Sequence, residues 1–342
     1  MAQTCHRCSR ANPSDALYCY FDGVVLNQGT LAGPINVGAQ PFPRPFPFAP
    51  NLNCGNFDQL AWICHKHWDT AVRLLRQGDF QDFLMGIGRL DLARVAGEAV
   101  RDSDNDRALD RFLDVLPTDV LVAPKLRIQP GEINLGRLSV GQDRTAQLRL
   151  ANQGLRLLHG AAACGTCDWL SLGNKPGVQR RLVQFLQDFE LTITVCGKAL
   201  RASARPLEAE LVFTTNGGTV VVPVRAEVPV RAFPEGVLAG ARSPRELAEK
   251  ARAAPHAAAG LFSSDSVARW YETNGWTYPI QGPVASGVAG LQQFFEAVGL
   301  SVPPRVDISE VLVNLRGQAG ERLQHTLEVS TQEKRAVYAS AA

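Results

Sequence analysis

The hydrophobic period of this chain switches three times along its length, and that alternation limits the fold more than any single motif does. Between residues 56 and 116 apolar side chains recur at spacings of three and four, as on one face of a helix. From Pro124 to Val228 the period is two, as on a half-buried strand. Residues 231–302 return to the helical period, and from Pro304 the alternation of two begins again. The fold class this predicts is multidomain α+β. A helical bundle (56–118) and a β-sandwich (122–230) are followed by a second bundle (231–302) and the first strands of a second, incomplete sandwich (303–342).

Phe57, Leu60 and Ile63, continuing through Val72, Leu74 and Leu75 to Gly78, predict one long first helix. Phe80, Phe83 and Leu84 mark a second, and Leu90 to Val95 a third. Leu109, Phe112, Leu113 and Leu116 mark a fourth before Pro117, making a four-helix bundle. In the second bundle Ser243-Pro244-Arg245-Glu246 reads as a capping box with proline at the first helical position. Leu261, Phe262, Val267, Trp270 and Tyr271 supply an apolar face that Asn274-Gly275 ends, and Leu291, Phe294, Phe295 and Val298 form a last helix. Trp270, Tyr271, Trp276 and Tyr278 read as core packing rather than as a binding surface.

The strand region holds Leu126-x-Ile128, Ile133-x-Leu135, Leu148-x-Leu150, Leu191-x-Ile193-x-Val195 and Leu211-Val212-Phe213, with a hairpin signal at Asn216-Gly217-Gly218. About seven short strands in some 105 residues are the pattern of an immunoglobulin-like sandwich. Pro130-x-x-Ile133-x-Leu135-Gly136, followed by Leu148-x-Leu150-x-Asn152-x-Gly154 and Trp169-Leu170, resembles bacterial adhesion- and scaffold-type sandwich modules. That resemblance implies a core position for Trp169.

The two helical regions align at one constant offset. Leu60 meets Leu247, Ala71 meets Ala258, Leu74-Leu75 meets Leu261-Phe262, and Phe83 meets Trp270. After a gap Leu109 meets Leu291, and the strand phrase Pro124-Lys125-Leu126-x-Ile128 meets Pro304-Arg305-Val306-x-Ile308. The order reads as a duplication. Too few residues follow Val302 for seven strands. The tail is therefore expected to be poorly ordered or paired with a neighbour, and the chain reads as an early-terminated member of a longer repeat architecture.

Residues 1–26 carry Cys5-x2-Cys8 and then Cys19-Tyr20-Phe21-Asp22-Gly23. A two-residue gap lets both side chains of a tight turn reach one tetrahedral ion. The segment resembles a short zinc ribbon, whose usual pattern is two facing Cys-x-x-Cys knuckles, with Asp22 standing where the fourth cysteine would be. The resemblance implies a structural Zn2+ held by Cys5, Cys8, Cys19 and Asp22. His6 competes for the fourth place, but between two ligating cysteines its ring should point away. A unit this small has no apolar core of its own, so metal affinity would be folding energy.

Residues 27–55, with Pro41-Phe42-Pro43-Arg44-Pro45-Phe46-Pro47-Phe48, predict a semi-rigid Pro/Phe-rich linker. Its phenylalanines either dock on this protein or serve as a partner-binding peptide. Cys64 and Trp68 share a core face, whereas His65 and His67 diverge, so a second metal site is not expected there. Cys164-Gly165-Thr166-Cys167 has the letters of a thioredoxin-type pair. The residues after it look extended, however, and a helix N-terminus behind the first cysteine is what such a pair needs. No phosphate loop or hydrolase signature appears, and no enzyme is expected.

Charge bears on partners. The 35 basic and 33 acidic residues leave +2, which disfavours general nucleic-acid or membrane-surface binding. No apolar run approaches the roughly 20 residues of a membrane span. The N-terminus has no signal region, so a cytoplasmic protein is expected. The functional expectation is a non-catalytic adaptor or scaffold that binds an unidentified protein partner and self-associates through 303–342. The alternative is a nucleic-acid-associated ribbon protein, which the few basic residues near the ribbon (Arg7, Arg10) and nearby Asp15 and Asp22 disfavour.

Overall fold

The computed structural model describes residues 2–26, 36–165, 167–282, 284–333 and 337. Part of the expected linker (27–35), Thr166 and most of the last nine residues lie outside these. The chain divides into two compact units: Met1–Ile133 with Thr145–Thr194 and Ala209–Val224, and Asn134–Arg144 with Val195–Glu208 and Arg225–Ala342.

In the first unit, β1 (Gln3–Thr4) and β2 (Ala11–Asn12) pair as a small hairpin. A second hairpin follows, β3 (Phe46–Ala49) and β4 (Leu52–Cys54), turning at Asn51 with a positive φ of 63°. Five helices come next: α1 (Phe57–Lys66), α2 (Trp68–Gln77), α3 (Asp79–Gly86), α4 (Leu90–Ala99) and α5 (Asn105–Asp114). Two have side-chain caps of the expected kind. Asn56 accepts from the Gln59 N–H at 2.8 Å, and Asp104 from those of Asp106 and Arg107, both at 3.1 Å.

Two expectations are corrected here. The long first helix is two helices, because His67 leaves the helical region (φ −122°, ψ 55°) and turns the chain between Lys66 and Trp68. The bundle thus has five helices rather than four. Residues 36–55 form a short 3-10 turn and a hairpin rather than a tether. Phe42, Phe46 and Phe48 are buried in the bundle core, with Phe46 5.1 Å from Phe80 and 5.0 Å from Phe83 between ring centres. Burying three rings stabilises by about 1.5–3 kcal/mol each, which outweighs the solvation of an extended peptide.

Nine strands, not seven, form two sheets: β5 (Leu126–Gln129), β6 (Ile133–Arg137), β7 (Arg144–Asn152), β8 (Leu158–Cys164), β9 (Leu170–Leu172), β10 (Arg180–Phe185), β11 (Asp188–Val195), β12 (Leu207–Thr215) and β13 (Gly218–Glu227). Their orders are β10-β8-β12-β13-β6 and β5-β7-β11-β9. Alternating burial along β7, β11, β12 and β13 gives each sheet one buried face, as a sandwich requires. β12 and β13 meet at the Asn216-Gly217 turn. Trp169 is buried, and Leu170 beside it is fully so. Three strands, β8, β9 and β10, match none of the alternating phrases singled out in the sequence; β8 and β9 contain no β-branched residue.

Within this unit α5 meets the sandwich through polar groups. Asp110, 6% exposed, accepts from the Leu157 N–H at 3.1 Å and lies 3.4 Å from the Arg156 guanidinium. Gln184 donates to Asp104 at 3.2 Å, and Leu157 enters the bundle core.

The second unit contains α6 (Pro244–Ala253), α7 (Pro255–Ser263), α8 (Ser266–Thr273) and α9 (Gly287–Ala297). Ser243 accepts from the Glu246 N–H at 3.1 Å, while the Glu246 carboxylate reaches back to the Arg242 N–H at 2.8 Å. Ala254 leaves the helical region because Pro255 follows it. Helices α6, α7 and α8 begin at Pro244, Pro255 and Ser266, and α1, α2 and α3 at Phe57, Trp68 and Asp79. All three pairs of starts are separated by the offset that relates Leu247 to Leu60. The breaks correspond too: His67 with Ala254, and Gly78 (φ 86°) with Asp265 (φ 56°). Among the described residues, no helix of the second unit stands where α4 would fall. Trp276, Tyr278 and Ile280 pack there against Tyr271, Trp270 and Phe294, so the aromatic cluster lies in the core.

The tail contributes β14 (Asp307–Ile308) and β15 (Val329–Ser330), paired antiparallel with Ile308 opposite Val329. Ile128 stands opposite Leu150 in the β5–β7 pair.

Candidate metal centre

Two turns make the centre, and they are built alike. In the first, the Ser9 N–H donates to the Cys5 carbonyl at 2.9 Å, the Cys5 N–H to Arg10 O at 2.9 Å, and the Arg7 N–H to the Cys5 sulfur at 3.4 Å. In the second, the Gly23 N–H donates to the Cys19 carbonyl at 3.0 Å, the Cys19 N–H to Val24 O at 2.7 Å, and the Phe21 N–H to the Cys19 sulfur at 3.4 Å. Each turn ends on a left-handed residue, Ser9 (φ 57°) and Gly23 (φ 69°). Asp22 occupies in the second turn the place that Cys8 holds in the first.

The four side chains converge. All ligand atoms of Cys5, Cys8, Cys19 and Asp22 lie within 4.8 Å of one another, and among the described residues no other group of three or more His, Cys, Asp or Glu side chains does so. Cys8 Sγ is 3.5 Å from Cys19 Sγ, and Cys5 Sγ is 3.6 and 3.8 Å from the two Asp22 oxygens. A tetrahedron with sulfur–metal bonds of about 2.3 Å has edges of about 3.8 Å, so the set fits one small divalent ion. His6 is exposed and no part of the group.

Electrostatics suit a cation. Burial pushes the Cys19 thiol up to about 12 despite backbone donors at its sulfur, so it keeps its proton at neutral pH unless a cation displaces it. The Val24 N–H, donating at 3.0 Å, is the main influence holding the Asp22 carboxyl below the usual carboxylate range. With three thiols and one carboxylate supplied by the chain, the donor set fills four positions and leaves none open.

Two residues that support the centre escaped the sequence reading. Asn12, fully buried, donates to Arg10 O at 3.0 Å and to the Cys19 sulfur at 3.6 Å, and accepts from the Tyr20 N–H at 2.8 Å. Its position midway between the knuckles is the signal that could have found it. Arg89, 3% exposed, donates to Tyr20 O at 3.1 Å and forms a two-pronged pair with Asp91, both contacts at 3.0 Å. Its guanidinium lies 4.1 Å from the Phe21 ring centre and 5.3 Å from that of Phe57. Although burial pushes Asp91 up, the Arg89 guanidinium holds it below its ordinary value. No local pattern marks Arg89, whose partners Tyr20 and Phe21 lie far back in the sequence.

The other sequence candidates separate. Cys54 and Cys64 are fully buried core thiols that burial pushes up, Cys54 to about 12. Trp68 shares that core, and His65 instead accepts from the Arg156 N–H at 3.4 Å. No described helix is long and apolar enough to cross a membrane.

No protein-family model matches the chain, and no curated protein matches it significantly. Among solved structures it is similar to a protein of unknown function from Porphyromonas gingivalis W83, at 16% identity and a TM-score of 0.26 over 32% of this chain and 49% of that one. It is also similar to WR4, a C. elegans MSP family member (11%, TM-score 0.21, 30% and 96%). A third is the ASH/PapD-like domain 7 of human CEP192 (9%, TM-score 0.21, 31% and 86%). The chain spans about half the length of the first of these.

Proposed function

We propose that this chain is a non-catalytic scaffold: a structural zinc ribbon joined to tandem bundle-and-sandwich modules, the second sandwich incomplete, that binds protein partners and self-associates through residues 303–342. The observation that carries the reading is the register of β14 and β15. Ile308 opposite Val329 repeats, one module further along the chain, Ile128 opposite Leu150. In the sandwich Ile128 and Leu150 are 8% and 0% exposed, whereas Ile308 and Val329 are 52% and 48% exposed. A strand pair with sandwich register and an open apolar face is a template for further strands, from a second copy or another protein.

Zinc is the ion that the thiol-rich, tetrahedral donor set favours. All eight cysteines are free thiols, which supports a reducing, cytoplasmic setting. Two measurements test the reading. Elemental analysis of the purified full chain should return one zinc per chain, lost in Cys5→Ser or Cys19→Ser and weakened less in Asp22→Asn; well under one equivalent ends the ribbon claim. Sedimentation of the full chain over a range of concentrations should show reversible association that residues 1–302 lack, and a strictly monomeric full chain ends the self-association claim.

A further inference from the structure

Among the described residues, one pair of thiols outside the candidate metal centre is in direct contact. Cys164 closes β8, Cys167 lies just beyond it, and their sulfurs are 3.0 Å apart, inside ordinary contact for two unbonded sulfurs. Neither belongs to a cluster that could hold a metal.

The two sit differently. Cys164 is 7% exposed and fixed in the sheet, opposite Leu211, its N–H donating to Gln179 O at 2.9 Å. Cys167 is half-buried in the turn that follows, its N–H donating to Gly165 O at 2.7 Å. The Gln179 amide clamps this turn by donating to Cys167 O at 3.1 Å and Leu170 O at 3.3 Å. The Cys164 thiol is the main influence that brings Cys167 down to about 7, with backbone donors of Leu170 and Trp169 assisting against burial. The same contact, with burial, drives Cys164 far up. No helix follows: residues 168–169 turn and β9 begins at Leu170. A neighbouring thiol and two backbone amides, one in the turn and one at the start of β9, thus take the part that a helix N-terminus takes in redox pairs.

The geometry points to Cys164 and Cys167 as a reversible thiol–disulfide pair, exchanging with low-molecular-weight disulfides such as oxidised glutathione, with Cys167 as the attacking thiol and Cys164 as the resolving one. The Cys167 thiolate attacks one sulfur of oxidised glutathione, forming a mixed disulfide and releasing one glutathione thiolate, which takes up a proton. Cys164 loses its proton to solvent and attacks Cys167 Sγ, closing the intramolecular bond and expelling the second glutathione. Two protein thiols are oxidised, one glutathione disulfide is reduced to two thiols, and protons and electrons balance. Exposure sets the roles, because only Cys167 is reachable by a dissolved disulfide.

The test equilibrates the zinc-supplemented full chain in glutathione buffers of graded redox ratio, followed by acid quench, alkylation and peptide mass mapping. Expected is a loss of two hydrogens confined to the peptide carrying both residues, reached from either direction and reversed by reduced glutathione. Under limiting iodoacetamide at neutral pH, Cys167 should be labelled at least about tenfold faster than Cys164. Cys164→Ser should accumulate a glutathione adduct on Cys167, and Cys167→Ser should form no internal disulfide. Complete alkylation of both residues in excess oxidised glutathione would overturn the proposal, as would faster labelling of Cys164. The mapping and labelling use the unmodified sequence, so a variant that misfolds leaves them decisive.

Discussion

Two strand pairs in this molecule share a register and differ in everything that surrounds them. β5 and β7 set Ile128 against Leu150 inside a sandwich, and β14 and β15 set Ile308 against Val329 with both side chains about half exposed. Cross-strand pairing is therefore written locally, in alternating apolar residues and their spacing. Burial is written elsewhere, in the strands that cover the face. The tail also exposes Val311 and Leu312, at 99% and 75%. An isolated two-stranded sheet is marginal in water, so a like-registered pair is a core element in one place and an exposed apolar pair in the other.

The contrast is broken most forcefully from the closed side. Trp169→Ala should cost about 3–5 kcal/mol, read as a drop in denaturant midpoint. An unchanged midpoint would remove Trp169 from the core. Leu150→Ala, at a fully buried position, should cost about 2–5 kcal/mol in the same measurement. Removing residues 303–342 should move the melting temperature by no more than about 2 °C, since the strands removed cover little. A fall of many degrees would mean that the tail belongs to a closed core. At the small end, Val329→Ala should change stability by no more than about 0.5 kcal/mol while weakening self-association in sedimentation. Equal stability losses for Leu150→Ala and Val329→Ala would erase the distinction between the two pairs.

What could be read in advance follows the range of the interactions. The knuckles were legible because ligand spacing is a local property, and Asp22 could be named because it falls at the same step after Cys19 as Cys8 does after Cys5. The periods of 3.6 and two identified helices and strands, since each depends only on near neighbours in the chain. The break at His67 was not legible: nothing in Cys-His-Lys-His-Trp forbids a helix. Its counterpart at Ala254 is written in Pro255. Alternating proline and phenylalanine specifies extended backbone but not whether that backbone faces water or folds into a hairpin against helices. Arg89 had no local signature, because its worth comes from a carbonyl and a ring far away in sequence.

That arginine has a thermodynamic consequence. The Phe21 ring centre is 4.6 Å from the guanidinium of Arg10 and 4.1 Å from that of Arg89, and Arg89 also faces Phe57 in the bundle core. The ribbon and the first helices thus share buried groups, and neither can open without stripping the other. Any cation held by Cys5, Cys8, Cys19 and Asp22 then favours the folded form of its neighbours by mass action, about 2.7 kcal/mol when its free concentration is a hundred times its dissociation constant. A chelator that stripped such a cation would then act on the bundle as a denaturant does, and the stability of helices that touch no metal would become a readout of how much free ion surrounds the molecule.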